Sequence, residues 1–113
     1  MTREELTEFI LTLPDAVTDQ PFNEDFNSTV ARHGSTRTWF ALMMNVGGRE
    51  MVNLKCDPQE SEFLRKVFEG VIPAYHMNKV HWNSVYLDSD VPAEEIRRMV
   101  RNSFELTQKK SRK

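Results

Sequence analysis

The apolar residues of this chain run first at helical spacing, then in alternation, then at helical spacing again. Leu6, Phe9, Ile10 and Leu13 recur every three or four positions behind a Thr2/Glu5 capping box, which predicts a first helix from about Arg3 to Leu13, ended by Pro14. Asp15 to Ser28, with Pro21 inside it, reads as an irregular acidic connection in which Phe22 and Phe26 anchor to the core. From Thr29 the pattern is extended. Thr29–His33 is a short strand, His33 to Thr36 a turn, and Arg37–Val46 the strongest strand in the sequence. Gly47-Gly48 supplies a two-residue hairpin turn into Arg49–Cys56, so these two strands are expected to pair antiparallel.

The faces of that hairpin follow from its register. Val52, Leu54 and Cys56 alternate with Met51, Asn53 and Lys55, and the first set is expected to face the core. A tight turn pairs Met43 with Val52 and Ala41 with Leu54, which puts Trp39 on the core side and Phe40, Leu42 and Met44 on the other. The strand from Trp39 to Met44 is therefore apolar on both faces, and intramolecular cover of the second face is the favoured reading.

Asp57-Pro58-Gln59-Glu60 opens a second helix: an Asp N-cap, proline at the first position and glutamate at the third. Phe63, Leu64, Val67 and Phe68 are expected to form its buried stripe, with Gly70 as the stop. Val71-Ile72 is a brief edge strand, since Pro73 cannot donate to a central ladder. Asn83–Asp88 alternates again, Val85 and Leu87 on one face and Trp82, Ser84 and Tyr86 on the other. A last helix starts near Asp90-Val91-Pro92, runs to about Gln108 and buries Ile96, Met99, Val100, Phe104 and Thr107.

Size and composition narrow the class. At 113 residues, 1–108 are expected to form one domain, with a frayed basic tail at 109–113. Cys56 is the single cysteine, so no intrachain disulfide can form and a reduced cytoplasm is expected. No window approaches the roughly eighteen apolar residues of a membrane span, and Met1 leads into a charged amphipathic segment. The net charge of −2 is uneven: −6 over residues 1–28, zero over 29–90 and +4 over 91–113. A net-acidic chain lacks the broad basic surface of a generic polyanion binder, so any nucleic-acid contact has to be local.

Few residues offer reaction chemistry. His76 and His81 lie five apart with no acids or cysteines to complete a metal set, and Cys56 ends a strand as a small hydrophobe would. Asp88 and Asp90 fit turn and cap roles, and Gly47-Gly48 has no helix behind it to cradle a phosphate. No cofactor, metal or catalytic residue is expected. Arg97, Arg98 and Arg101 on the last helix, with Glu94 nearby, have the look of a solvated face.

The exception is Tyr75 to Asn83. Amides suit base edges or backbone, Lys79 is a phosphate-seeking charge, and Tyr75, His76, His81 and Trp82 offer stacking faces. The same side chains serve equally as plugs that fasten a loop to a sheet. Residue chemistry alone favours the packing role slightly over recognition.

Arg32-His33, Trp39-Phe40-Ala41-Leu42, Leu54-Lys55-Cys56-Asp57-Pro58 and the run from Pro73 to Asn83 into Val85-Tyr86-Leu87-Asp88 together resemble the MmcQ/YjbR-like family of small bacterial proteins. The resemblance implies an α+β fold: a two-layer α/β sandwich in which helices pack on an antiparallel sheet, as in frataxin-type and secretion-chaperone-like folds. It also implies a DNA-binding label and no enzymatic activity, although fold is a poor warrant for function. By position its signature residues are Lys55, Tyr75, His76, Asn78, Lys79, His81 and Trp82, with Asn83 in the same segment. Three functions follow as expectations. They are a non-enzymatic binding module for DNA, a homodimeric or chaperone-like protein-interaction module using the second face near Trp39–Met44, and a small-ligand binder or enzyme built on His76 and His81.

Overall fold

The computed structural model describes residues 1–20, 27–75 and 77–108. The expectations for Phe22, Phe26, His76 and the tail 109–113 fall outside these residues. Three helices, α1 (Arg3–Ile10), α2 (Pro58–Val67) and α3 (Ala93–Thr107), accompany six strands. The strands are β1 (Ala16–Asp19), β2 (Thr29–His33), β3 (Trp39–Val46), β4 (Arg49–Lys55), β5 (Val71–Pro73) and β6 (Trp82–Tyr86). They form one antiparallel sheet in the order β1-β2-β3-β4-β6-β5. Leu6 and Ile10 of α1, Leu64 of α2, and Ile96, Met99, Val100 and Phe104 of α3 join one core cluster on a single face of the sheet. This is the α+β two-layer sandwich. Among the described residues no helix is long and apolar enough to cross a membrane.

Local chemistry sets several element ends as expected. Thr2 accepts from the Glu5 amide at 3.1 Å while Glu5 accepts from the Thr2 amide at 2.9 Å, closing the capping box of α1. Asp57 caps α2 through the Gln59 amide. Gly47 and Gly48 both have positive φ, 61° and 84°, the backbone a tight hairpin turn demands and a side chain resists. The hairpin then pairs Met43 with Val52 and Ala41 with Leu54, the predicted register.

Three expectations are corrected. The connection after α1 contains a strand, since Ala16–Asp19 pairs with β2. Its four residues are all half-buried, an edge too short and polar to show as alternation.

The second correction concerns Trp39 and Phe40. Ala31 pairs with Ala41 but Arg32 pairs with Trp39, so Phe40 is an extra residue in β3. Such a bulge breaks the alternation. Phe40 joins Ala41 and Met43 in the helix-side core, whereas Trp39 packs against Val30, Leu42, Met44 and Met51 on the opposite face. Ser103 of α3 occupies the gap: its hydroxyl donates to the Phe40 carbonyl at 2.6 Å and accepts from the Lys55 amide at 2.9 Å. The second-face residues Leu42 and Met44 are buried within the chain, as the intramolecular reading expects.

The third is α2. Ser61 and Leu64 are its buried residues, while Phe63 is 62% and Val67 50% exposed. Gly70 is needed for a close approach: a Cβ there would collide with Ser89, and its amide donates to Asp90 at 2.8 Å.

His33 is a buried core histidine. Its ring stacks between Phe40 and Phe104, with centroids at 5.1 and 4.5 Å, and its Nε2 meets the Thr107 hydroxyl at 2.8 Å. Burial lowers its pKa from the ordinary 6.5, opposed by the nearby Asp15 carboxylate. The folded protein thus holds this ring neutral where the unfolded chain would protonate it. The resulting stability is fully present above about pH 6.5 and is lost as pH falls through that value toward the lower folded pKa. Urea unfolding between about pH 5 and 7.5 should show this decline, and His33→Gln should flatten it. An unchanged pH slope in the variant would refute the assignment.

Ser103→Ala strands two buried backbone groups, the Phe40 carbonyl and the Lys55 amide. A loss of about 1–3 kcal/mol in chemical denaturation is expected, against a few tenths for a solvent-facing serine.

Candidate recognition surface

The helix-free face of the sheet is built by alternation. Leu54 and Cys56 enter the helix-side core, so Lys55 between them projects from the other face. Register places Lys55 beside Trp82, Asn53 beside Ser84, and Met51 beside Tyr86. Tyr86 and Met51 lie in the second-face cluster, which fixes the direction of the Ser84 and Trp82 side chains by the same alternation. Trp82 and Lys55 are half-buried there.

The connection from β5 to β6 folds across this face. Asn53 and Ser84, both fully buried, hold it from below. Asn53 Nδ2 donates to the Tyr75 carbonyl at 2.9 Å, the Tyr75 amide donates to Ser84 Oγ at 2.9 Å, and Ser84 Oγ donates to Asn53 Oδ1. Met77 packs against Val30, Leu42, Met44 and Met51. Further along, Asn78 Oδ1 accepts from the Val80 and His81 amides at 2.8 and 3.3 Å, a side-chain-made turn, and its carbonyl accepts from the Trp82 amide at 3.0 Å. The His81 carbonyl accepts from the Cys56 amide at 2.8 Å, and Arg65 reaches the Lys79 carbonyl at 3.3 Å.

The backbone is thus tied down while the side chains are not interior. Tyr75 is 41% exposed, and Asn78, Lys79, Val80 and His81 are all exposed. Among the described residues neither Lys55, Lys79 nor His81 has a carboxylate partner. Asn83 is placed differently. It points to the helix side, 2% exposed, where its Oδ1 accepts from Ser61 Oγ at 2.8 Å and Arg65 Nη1 at 3.2 Å.

The structure therefore brings Lys55, Tyr75, Asn78, Lys79, His81 and Trp82 together and turns Asn83 away as an anchor. Asn53, Ser84, Ser61 and Arg65 complete the arrangement and went unnoticed in the sequence. The available signal was two polar residues, Asn53 and Ser84, set inside alternating strands at positions that pair.

Other groups fit packing or solvation. Burial, then Glu60 and Asp57, push the Cys56 thiol up to about 11, far from a nucleophile's range. No three His, Cys, Asp or Glu side chains among the described residues come together as metal ligands. An open depression of about 240 Å³ is lined by Arg49, Glu69, Gly70, Tyr86, Ser89 and Asp90, without Tyr75 or His81. Arg98 pairs with Glu95 and Glu60 at 3.0 Å, a solvated ion-pair face.

A sandwich with helices on one face and a pinned polar-aromatic segment on the other defines a class of small α+β domain. The YjbR family model matches residues 11–106, and the chain belongs to that family. It is 34% identical to the Bacillus subtilis (strain 168) protein YyaQ, over 95% of this chain and 98% of that protein. It is 33% identical to Escherichia coli (strain K12) YjbR, over 93% of this chain and 86% of that one. A crystal structure of a Pseudomonas syringae protein superposes with a TM-score of 0.89 at 31% identity, covering 96% of this chain and all of that one. A Deinococcus radiodurans protein, DR2400, gives 0.85 at 33% identity, covering 96% and 80%.

Asn53→Ala removes the carboxamide that holds Tyr75 and orients Ser84, at a cost of about 1–3 kcal/mol. Hydrogen exchange should speed up locally across residues 74–82 while the amides of α3 keep their protection. Uniform acceleration over the whole chain would contradict a local pin.

Proposed function

We propose that this chain is a non-enzymatic binding module whose ligand is nucleic acid, contacted through Lys55, Lys79, His81, Trp82 and Tyr75. One observation carries the reading. A segment whose backbone is hydrogen-bonded to β4, β6 and α2 presents cationic, amide and aromatic side chains to solvent, beside a Lys55–Trp82 cross-strand pair. Rigid backbone with outward polar groups suits recognition, because little ordering entropy is lost when a ligand docks. The net charge of −2 confines the attraction to this patch.

The non-enzymatic part rests on the inert setting of the candidate groups. Cys56 holds its proton, and Tyr75 and His81 are both exposed. Leu42 and Met44 on the second face are buried within the single chain and Trp39 is half-buried, which counts against a protein interface near Trp39–Met44.

Fluorescence anisotropy with labelled nucleic acid over a salt series tests the proposal. Affinity should fall as salt rises, and Lys55→Gln with Lys79→Gln should weaken binding and lower the log–log salt slope by about 2, one for each phosphate that a lysine no longer neutralises. No binding to any nucleic acid at low salt, or an unchanged slope in the double variant, would overturn it.

A further inference from the structure

Resting on that reading, we infer that the ligand is a single strand, with unpaired bases stacked on the helix-free face of the sheet at Trp82 and Tyr75. The cations on this side decide the matter. Arg32 is held by Asp19 at 2.8 Å and Arg49 by Asp88 at 3.1 Å, with the Arg49 guanidinium also 3.8 Å from the centre of the Tyr86 ring. Arg65 belongs to the helix side and is spent on the Lys79 carbonyl and Asn83. Of the cations named on this surface, Lys55 and Lys79 remain without carboxylates. Duplex binders draw most of their affinity from about six to ten phosphate contacts, so two lysines leave a duplex weakly held.

The same surface is rich in rings. Trp82 stands beside Lys55 in the β4–β6 register, Tyr75 lies over the neighbouring Asn53–Ser84 pair, and His81 is exposed next to Trp82. Bases inside a duplex present only their edges to a protein, whereas an unpaired base offers its face. Each base stacked on an aromatic ring strengthens binding on the order of ten- to a hundred-fold and depends little on salt. An aromatic face with two unpaired lysines is therefore matched to a short single strand, two or three bases stacked and the adjoining phosphates on Lys55 and Lys79. The anchoring supports this geometry, because Tyr75 is fastened by its backbone and the residue is 41% exposed.

The test compares a thymidine single strand of about twelve nucleotides with the same strand in a duplex. Trp39→Phe leaves Trp82 as the sole tryptophan reporter. The single strand should bind at least about ten-fold more tightly than the duplex and quench Trp82 emission, and Tyr75→Ala should weaken the single strand about ten-fold and the duplex hardly at all. Trp82→Phe should retain most of the affinity that Trp82→Ala loses, which separates stacking from damage to the fold. Duplex binding as tight as single-strand binding, or single-strand binding with unchanged emission and no effect of Tyr75→Ala, overturns the stacking inference. In that case a reduced salt slope in the double lysine variant would leave the broader nucleic-acid reading standing, and absence of binding to either probe removes both.

Discussion

The candidate surface depends on a buried carboxamide meeting a buried hydroxyl. Asn53 and Ser84 pair across β4 and β6 with no exposure to solvent, and between them they take up both backbone polar groups of Tyr75. A satisfied hydrogen bond of this kind stabilises by only about 1 kcal/mol, but an unsatisfied partner costs up to about 3. The asymmetry makes the network a positional device. It favours one placement of the connection over the sheet, since any other leaves the Asn53 Nδ2 donor buried without its acceptor. Two apolar residues at these positions would gain similar stability and leave the connection free to slide.

A comparable asymmetry operates at the other edge of β4. The bulge at Phe40 breaks the ladder where Lys55 would otherwise face it, and Ser103 restores both missing bonds from α3. With Phe40 turned inward, its ring meets Phe104 edge-on at 5.1 Å and His33 closes the cluster. With Trp39 turned outward, the second face gains an indole against Leu42 and Met44. One inserted residue thus furnishes the helix-side core and helps cover the opposite face.

These features mark the limit of what the pattern of residues conveys. The hairpin register, the caps of α1 and α2, the edge placement of β5 and the two faces of β6 were legible, because each follows from a local rule acting on neighbouring residues. The exposed part of the candidate segment was legible as a concentration of chemistry. Alternation alone could not show the bulge, since Trp39 and Phe40 are both large and apolar and either suits either face. β1 was hidden because a half-buried edge strand carries no periodic signal. Asn83 was grouped with the segment by its adjacency in sequence, although the alternation of β6 already set it opposite Trp82 and Ser84.

The orientation of α2 shows how strongly these polar anchors act. A helix turned to bury the most apolar surface would sink Phe63 and Val67, each worth about 1.5–3 kcal/mol when fully buried. The observed helix leaves both at least half exposed and buries Ser61 instead. Ser61 and Arg65 lie four residues apart, on one side of the helix, and both reach Asn83. Leu64 and Phe68 flank that line and keep the helix attached to the core. Rotating α2 to hide Phe63 would withdraw Ser61 and Arg65, stranding an amide that is 2% exposed and releasing the Lys79 carbonyl. The buried polar contact therefore outweighs part of the apolar burial, and the cost is borne one helix away from the surface it positions.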